Sequence, residues 1–494
     1  MYDTLGLDLF GTGPILLVAA LGVLVVVLDA FRNDDAAIPW ISGLGMTAAA
    51  VWSAFLIDDV GTAFYGEVYV GGAAAVANLV VLLGSVASLA LTVPYLSRIG
   101  RNYGEVHGLI LFATAGMMTL ASAGSLVTLF VGLETMSVCL YVLTGLVREE
   151  STANESALKY FLLGAFSTGF FLYGIALLYG ATGTMKLGLL AEGLLLSGQT
   201  GLFLAGVGLL LVGFFFKVSA VPFHMWTPDV YQGAPTSLTA FMSTASKAAT
   251  FAALAVVLGR ALPAELVVSG GTVQIALAAV AAVTMVVGNV VALVQSNVKR
   301  MLAYSSVAHA GYILAGLAAG VAGYGAALFY LVAYTLMNVG AFGVMGALEW
   351  DDEQGAEQDL DSLAGVGYRR PFLGVAMGVF MFALTGFPPL AGFIGKYLVF
   401  AAAVDAGLVW LAVLGVLASV VSGYYYLRVL VVMWMKSPDE APENAKRPFP
   451  VAHATGFVVA ACAVALLALG ILPAELIDLT TEAFVQDAVV VVAP

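Results

Sequence analysis

Charged side chains are scarce in this sequence of 494 residues. Asp, Glu, Lys and Arg make up 10% of the chain and hydrophobic residues 61%, whereas a soluble globular domain has about 25% charged residues. A soluble fold of this length could not bury so much apolar surface, so the composition excludes a water-soluble protein and indicates a lipid environment. Much of the acid behind the net charge of −13 lies in short connecting segments such as residues 349–361.

Metal-ligating and nucleotide-binding patterns are also missing. The two cysteines, Cys139 and Cys462, each lie alone in an apolar run without C-x-x-C spacing, which argues against an iron–sulfur centre. Four scattered histidines argue against a haem, and the sequence has no P-loop, H-E-x-x-H motif or dinucleotide fingerprint. We therefore expect no metal and no cofactor in this chain.

Long apolar runs are abundant. A helix that crosses about 30 Å of hydrocarbon needs ~20 mainly apolar residues, and runs of this length predict helices and not barrel strands. The predicted fold is an all-α integral membrane protein with about fourteen transmembrane helices. The predicted spans are 11–29, 38–57, 73–94, 107–121, 123–147, 158–181, 200–221, 237–261, 273–294, 301–320, 323–348, 371–401, 404–432 and 451–472.

The distribution of basic residues predicts the orientation of these spans. The loops after even-numbered spans contain only Lys186 and Arg260. Lys and Arg mark cytoplasmic loops, so both termini are predicted to be periplasmic, in a multi-pass protein of the inner (plasma) membrane. The loops after odd-numbered spans contain eleven basic residues, namely Arg32, Arg98, Arg101, Arg148, Lys299, Arg300, Arg369, Arg370, Lys436, Lys446 and Arg447.

Two spans contain helix-breaking prolines. Pro222 follows the apolar part of span seven, and Pro388 lies in the middle of span twelve. Because protein or water must satisfy the backbone groups freed inside a membrane, such breaks mark buried polar sites. Pro222 and Pro388 are separated by the same 166 residues as positions 107 and 273, which is compatible with two inverted five-helix repeats, spans 4–8 and 9–13.

Four ionisable residues within the spans are the main candidates for function: Glu134, Lys217, Lys247 and Lys396. A charge at a helix centre costs about 2.5–3.5 kcal/mol on insertion scales, so such residues usually face the protein interior and serve a function. Burial favours the neutral form of a lysine, which allows proton exchange near neutral pH. A structural ion pair is the alternative for Glu134, and the carbonyl end of a half-helix favours the charged form of Lys217.

Three further residues are weaker candidates. Lys159 lies near a span end, where extension of the side chain to the membrane surface is the alternative to a functional role. His224 lies beside the first break and His309 lies in the stretch AYSSVAHAGYIL. Either histidine could relay protons.

Three stretches of this sequence resemble a known family. They are FFFKVSAVPFHMWTPDVYQGAPTSLTAFMSTASKAA at 214–249, NVKRMLAYSSVAHAGY at 297–312 and LTGFPPLAGFIGKYLVF at 384–400. They are similar to the antiporter-like membrane subunits of bacterial NADH:quinone oxidoreductase, respiratory complex I. The run SASKAA, in which Lys247 stands where the sister L and M types usually have histidine, favours the N type.

The resemblance implies a fold and residue roles. It implies four parts: an N-terminal three-helix segment at 1–100, a first repeat at 101–265, a second inverted repeat at 266–435, and a C-terminal helix and tail at 436–494. It implies that Glu134 pairs with Lys217 and tunes its proton affinity, that Lys247 is the central relay, and that Lys396 connects toward the outer side. The NADH, FMN, iron–sulfur clusters and quinone are then expected in partner subunits, with other complex I membrane subunits as neighbours.

Three hypotheses for function remain open at this point. The leading one is a subunit that translocates protons while other chains carry the electrons from NADH to quinone. The second is a subunit of a sodium/proton antiporter or of a related membrane-bound hydrogenase-type complex. The third is a structural subunit whose buried charges only hold helices together.

Overall fold

The computed structural model describes residues 2–31, 37–100, 103–268, 270–349, 358–441 and 450–490. Four basic residues in the orientation argument lie outside these ranges, as does most of the acidic segment 349–361; the four are Arg32, Arg101, Lys446 and Arg447.

The chain begins with a helical segment that carries a small hairpin. Its elements are α1 (Tyr2–Gly11), α2 (Gly13–Phe31), α3 (Ile38–Phe55), the antiparallel strands β1 (Gly61–Ala63) and β2 (Val68–Val70), and α4 (Gly72–Arg98). Helices α2, α3 and α4 correspond to the first three predicted spans. The hairpin and α1 were not predicted.

The first group of helices corresponds to predicted spans four to eight. It contains α5 (Gly104–Ala121), α6 (Leu126–Thr144), α7 (Ser151–Thr182), the short α8 (Leu190–Ser197), α9 (Thr200–Val218), α10 (Thr227–Gly233) and α11 (Thr236–Val256), which continues into a π-helical turn at Val257–Ala261.

The second group corresponds to spans nine to thirteen. It contains α12 (Ala264–Val267), α13 (Thr272–Leu293), α14 (Val298–Ala318), α15 (Val321–Ala347), α16 (Val366–Arg369), α17 (Pro371–Thr385), α18 (Ala391–Asp405) and α19 (Val409–Met435), and it is followed by α20 (His453–Ile471) and α21 (Ala474–Val490). Short 3₁₀ helices lie at Leu187–Leu189, Leu360–Leu363 and Pro438–Glu440. Helix α21 occupies part of the predicted C-terminal tail and packs against α4 and α15.

The predicted membrane fold is confirmed. Thirteen helices in the described part of the chain are long and apolar enough to cross a membrane. The one predicted span that is not a single long helix is span twelve, which is divided into α17 and α18 with 15 residues each. Helices α11, α14 and α15 lie almost entirely inside the protein, whereas much of α2 and α3 is exposed.

Both predicted breaks are present at prolines. Helix α9 ends at Val218 because Ser219 adopts a left-handed conformation with φ 65°, and Pro222 follows. Helix α17 ends at Thr385 before Gly386, whose φ of 91° is readily adopted only by glycine. The Val221–Pro222 and Pro388–Pro389 peptide bonds are both cis.

The two groups of helices have matching internal contacts. In each group the first two helices pack together, α5 with α6 and α13 with α14. The third helix contacts the broken one, α7 with α9 and α15 with α17 and α18, and the first contacts the last, α5 with α11 and α13 with α19. This supports the predicted repeats, whereas the predicted domain limits stay predictions.

Glycines allow the closest of these helix–helix contacts. A Cβ atom on Gly132 would lie 2.5 Å from the backbone nitrogen of Leu120, and one on Gly311 would lie 2.7 Å from that of Met285. Small residues at such crossings let membrane helices pack backbone to backbone. The α5–α6 and α13–α14 pairs therefore use the same means of close packing.

Candidate functional site

The three main lysines lie inside the protein, as predicted. Lys217 is in the last turn of α9, Lys247 is in the middle of α11, and Lys396 is in the second turn of α18. Their exposed fractions are 4%, 1% and 5%. None of the three forms an ion pair with a described carboxylate, so hydroxyl and carbonyl groups stabilise them instead.

Lys217 contacts polar groups on α6. Its Nζ atom donates to Ser137 Oγ at 2.6 Å and to Tyr141 OH at 3.2 Å. The same atom lies 5.2 Å from the centre of the Tyr141 ring and 5.7 Å from that of Tyr160. A protonated lysine at this position is stabilised by two hydrogen bonds and two aromatic faces.

Glu134 lies at the middle of α6 and is partly exposed on the surface of the chain. One carboxylate oxygen accepts a hydrogen bond from Thr168 Oγ1 at 2.7 Å. Glu134 makes no ion pair with Lys217. Ser137, which binds Lys217, lies one turn along α6 from Glu134. The pairing implied by the resemblance stays a prediction.

Lys247 contacts α14. Its Nζ atom donates to the Ser306 carbonyl oxygen at 2.9 Å and to Ser306 Oγ at 2.6 Å. Ser306 Oγ also accepts a hydrogen bond from Tyr334 OH at 2.7 Å. Lys247 is therefore joined to a hydroxyl pair that extends from α14 to α15.

His309 lies on α14, one turn beyond this hydroxyl pair, and is 1% exposed. Its Nδ1 atom is 2.7 Å from Tyr330 OH and its Nε2 atom is 3.0 Å from Tyr426 OH. Tyr426 OH is also hydrogen-bonded to Ser305, which is adjacent to Ser306 in the chain. This position supports the weaker prediction that His309 belongs to a polar pathway.

Lys396 contacts the end of the α17 half-helix. Its Nζ atom donates to the carbonyl oxygens of Leu384 and Thr385 at 3.0 Å and 2.9 Å, and to Ser419 Oγ at 2.7 Å. Free carbonyl groups at a helix end carry partial negative charge and favour a cation. The carbonyl end of a half-helix, which was predicted to favour the charged form of Lys217, thus contacts Lys396.

A second row of hydroxyl groups lies beside Lys396. Its Nζ atom is 4.7 Å from the centre of the Tyr312 ring. Tyr312 OH accepts from Asn289 Nδ2 at 3.0 Å, and Asn289 Oδ1 accepts from Tyr425 OH at 2.9 Å. The ring of Tyr312 packs edge-on against His309 at 5.4 Å. Serine, tyrosine and histidine side chains therefore lie between Lys247 and Lys396, hydrogen-bonded within each group and in ring contact between the groups.

Lys159 lies apart from the buried lysines and the side chains that contact them. Its side chain is 41% exposed, and it pairs with Asp229 at 2.7 Å and Glu155 at 2.6 Å. Asp229 also pairs with Arg300 at 2.7 Å, which ties α10 to α7 and α14. His224 lies partly buried in the turn between α9 and α10. Neither residue contacts the lysines through a described hydrogen bond.

Two basic residues assigned to a loop lie instead in the first turn of α14. This helix begins at Val298, three residues earlier than predicted, because Asn297 caps it by accepting the Arg300 backbone N–H at 3.0 Å. Lys299 is buried, donates to the Ala234 carbonyl at 2.7 Å and lies 4.0 Å from Glu349. The Asn297 cap and the nearby Glu349 carboxylate thus allow Lys299 and Arg300 to lie in a helix where a loop was predicted.

The ligand types in the described residues fit no metal centre. No group of three or more His, Cys, Asp or Glu side chains could hold a metal ion in these ranges. Cys139 and Cys462 are free and buried in different helices.

Comparisons with known proteins give a consistent result. A family profile described as "NADH:quinone oxidoreductase/Mrp antiporter, TM" matches residues 123–422. The chain is 56% identical to NADH-quinone oxidoreductase subunit N of Salinibacter ruber, with 100% of this chain and 99% of that protein aligned. It is 43% identical to the protein of the same name from Trichlorobacter lovleyi, over 98% of both chains.

Solved structures share the fold. A chain of respiratory complex I from Thermus thermophilus with bound aureothin matches with a TM-score of 0.81 and 37% identity, over 95% of this chain and 99% of that one. A chain of the Mrp complex from Dietzia sp. matches with a TM-score of 0.83 at 22% identity, over 98% of both chains.

Proposed function

The chain belongs to the family of membrane subunits shared by NADH:quinone oxidoreductase and the Mrp antiporters, and we propose that it is the N subunit of a NADH:quinone oxidoreductase that translocates protons. The family membership confirms the resemblance drawn from three short sequence stretches. Electron transfer from NADH to quinone takes place in other subunits of the complex, and this chain moves protons in response. It is a multi-span membrane subunit that assembles with other membrane subunits.

One observation carries the proton-translocating role: three buried lysines are hydrogen-bonded to hydroxyl groups, and serine, tyrosine and histidine side chains lie between Lys247 and Lys396. Lysine, histidine and hydroxyl side chains each exchange protons with hydrogen-bonded neighbours. We assign the pathway to Lys217, Lys247, His309 and Lys396, with Glu134 as the charge that controls Lys217. Lys159 and His224 are secondary candidates.

The alternative is a sodium/proton antiporter subunit. The match to the Mrp complex is at 22% identity and reflects the fold alone, whereas the subunit N relatives are similar over the whole chain. We therefore favour the oxidoreductase. The ligand types in this chain support the proposal that the FMN, iron–sulfur clusters and quinone of the complex are bound by other subunits.

Reconstitution of the complex that contains this chain tests the function. In liposomes without sodium, NADH and a soluble quinone should drive proton translocation that a protonophore abolishes. Purification of the chain with antiporter subunits only, or a sodium requirement for ion movement, would contradict the proposal.

We further propose that both termini face the periplasm of the inner (plasma) membrane, with the segment around Ser362 cytoplasmic. A Ser362→Cys variant should react with a membrane-impermeant maleimide from the cytoplasmic side of oriented vesicles. Ser197→Cys, at the exposed end of α8 after an even-numbered span, is the matched control and should react from the periplasmic side. The two natural cysteines are buried and should give little background. The reverse pattern of labelling would overturn the orientation.

A further inference from the structure

Between Lys217 and Lys247 there is a gap in the hydrogen bonds of the buried polar side chains. The hydrogen bonds of Lys217 go to α6, and those of Lys247 go to α14. No described hydrogen bond joins one group to the other. A proton that passes between these lysines needs a group that both donates and accepts within this gap.

Helix α10 contacts helices that belong to both groups. It packs against α7, which carries Tyr160 beside Lys217, and against α14, which carries Ser306 beside Lys247. Thr239 Oγ1 donates a hydrogen bond to the Tyr231 carbonyl oxygen at 3.1 Å, and this bond fixes α10 to α11. The helix thus touches elements that hold both lysines.

Tyr231 is a fully buried side chain of α10, 0% exposed. Its hydroxyl makes no hydrogen bond of normal length and angle in the described part of the chain, although Ser306 lies near enough for a weak one. The Tyr231 side chain also interacts electrostatically with Tyr160 of α7 and Tyr334 of α15. Its ring is held edge-on by Trp226 at 6.0 Å, and Trp226 stacks on Tyr160 at 4.5 Å.

A fully buried hydroxyl group without a hydrogen bond of normal geometry is rare and calls for an explanation. Burial of such a group costs free energy that a phenylalanine at this position would avoid, while the ring contacts would remain. The hydroxyl is therefore explained better by a role in proton transfer than by packing.

On the basis of the proposed proton-translocating function, we propose that the Tyr231 hydroxyl relays protons between the Lys217 and Lys247 groups. Its oxygen accepts a proton that originates at the Lys217 ammonium, and its own proton leaves toward Ser306 and Lys247. The phenol is unchanged after each transfer, and water bridges the spans that exceed hydrogen-bond length. No redox partner is required.

The test is proton translocation by the reconstituted complex with Tyr231→Phe. This change removes one oxygen and keeps the ring, so the complex should assemble. The rate per assembled complex should fall about ten-fold, less than the ~100-fold typical of a lost proton-transferring group, because water in the gap can still carry protons slowly. Tyr324→Phe is the matched control, because Tyr324 is also buried but packs against Phe484, away from the lysines, and its rate should equal that of the wild type.

A Tyr231→His variant distinguishes a relay from a structural role. Imidazole donates and accepts protons, so the relay predicts faster translocation with histidine than with phenylalanine. A structural role predicts the reverse order, because phenylalanine preserves the packing better. The reverse order, or a wild-type rate with Tyr231→Phe, would overturn the proposal.

A Lys247→Met variant measured in parallel separates this proposal from the proposed function. If Lys247→Met lowers translocation and Tyr231→Phe does not, only the tyrosine relay is wrong. If neither variant lowers translocation, the lysine pathway itself is wrong.

Discussion

Replacement of Lys247 by methionine is expected to lower NADH-driven proton translocation by about 100-fold, as for other essential proton-transfer groups, while the complex still assembles. Lys247 is 1% exposed, and it is the amine between Lys217 and the His309 group. Methionine fills a similar volume but cannot hold a proton. Ser306 keeps its hydrogen bond from Tyr334, so its hydroxyl is not left without a partner. An apolar residue that replaces a buried charge such as Lys247 is then tolerated well.

A Lys247→Arg variant sharpens this prediction. Arginine keeps the positive charge but does not release its proton in proteins. If Lys247 conducts protons, the arginine variant should be as slow as the methionine variant. If Lys247 only supplies a positive charge, the arginine variant should translocate at close to the wild-type rate. Lys186→Ala, in a loop outside the buried row, is the control and should be unaffected.

The second large effect is expected at Glu134. Glu134→Gln should reduce proton translocation by about ten-fold, because it removes a negative charge one turn along α6 from Ser137, which binds Lys217. Glutamine can still accept the hydrogen bond from Thr168, so the local structure should remain. The measurement is the translocation rate in liposomes, normalised to the amount of assembled complex.

Combination with Lys217 tests whether the two residues work together. Lys217→Ala should cause a similar loss, and the double variant should be little worse than either single one, as expected for residues that act as a unit. Glu192→Gln, an exposed carboxylate on α8, is the matched control and should behave as the wild type. Normal translocation by the Glu134→Gln complex would make Glu134 a structural residue.

Coupling between Glu134 and Lys217 does not require contact. Ser137 binds Lys217 and lies one turn along α6 from Glu134, so a charge on Glu134 would act on Lys217 through space. Glu134 is partly exposed on the surface of the chain, where a neighbouring membrane subunit could reach it.

Features that depend on single residues were predictable from the sequence. Pro222 and Pro388 interrupt their helices because proline lacks a backbone donor, which is a local property. The burial of Lys217, Lys247 and Lys396 follows from the cost of a charge in lipid. These rules apply to each residue wherever the neighbouring helices lie.

Features that depend on how helices are rotated against one another were not predictable. Tyr334 and Tyr426 join the polar row because α15 and α19 present them to α14, and hydropathy does not reveal which face of an apolar helix meets which neighbour. The early start of α14 depends on the Asn297 cap and on Glu349, which is 50 residues beyond Lys299 in the sequence. The sequence analysis missed these tyrosines; the spacing of Tyr330 and Tyr334, one helical turn apart, is the signal that could have indicated them.

We propose that Lys217, Lys247 and Lys396 carry protons in series. The test is the number of protons translocated per NADH oxidised in liposomes that contain the complex with each lysine replaced by methionine, and with all three replaced together. A series pathway predicts that each single variant lowers this ratio and that the triple variant lowers it no further than the most severe single variant. An unchanged ratio in any single variant, or three losses that add up in the triple variant, would show that the lysines do not act in series.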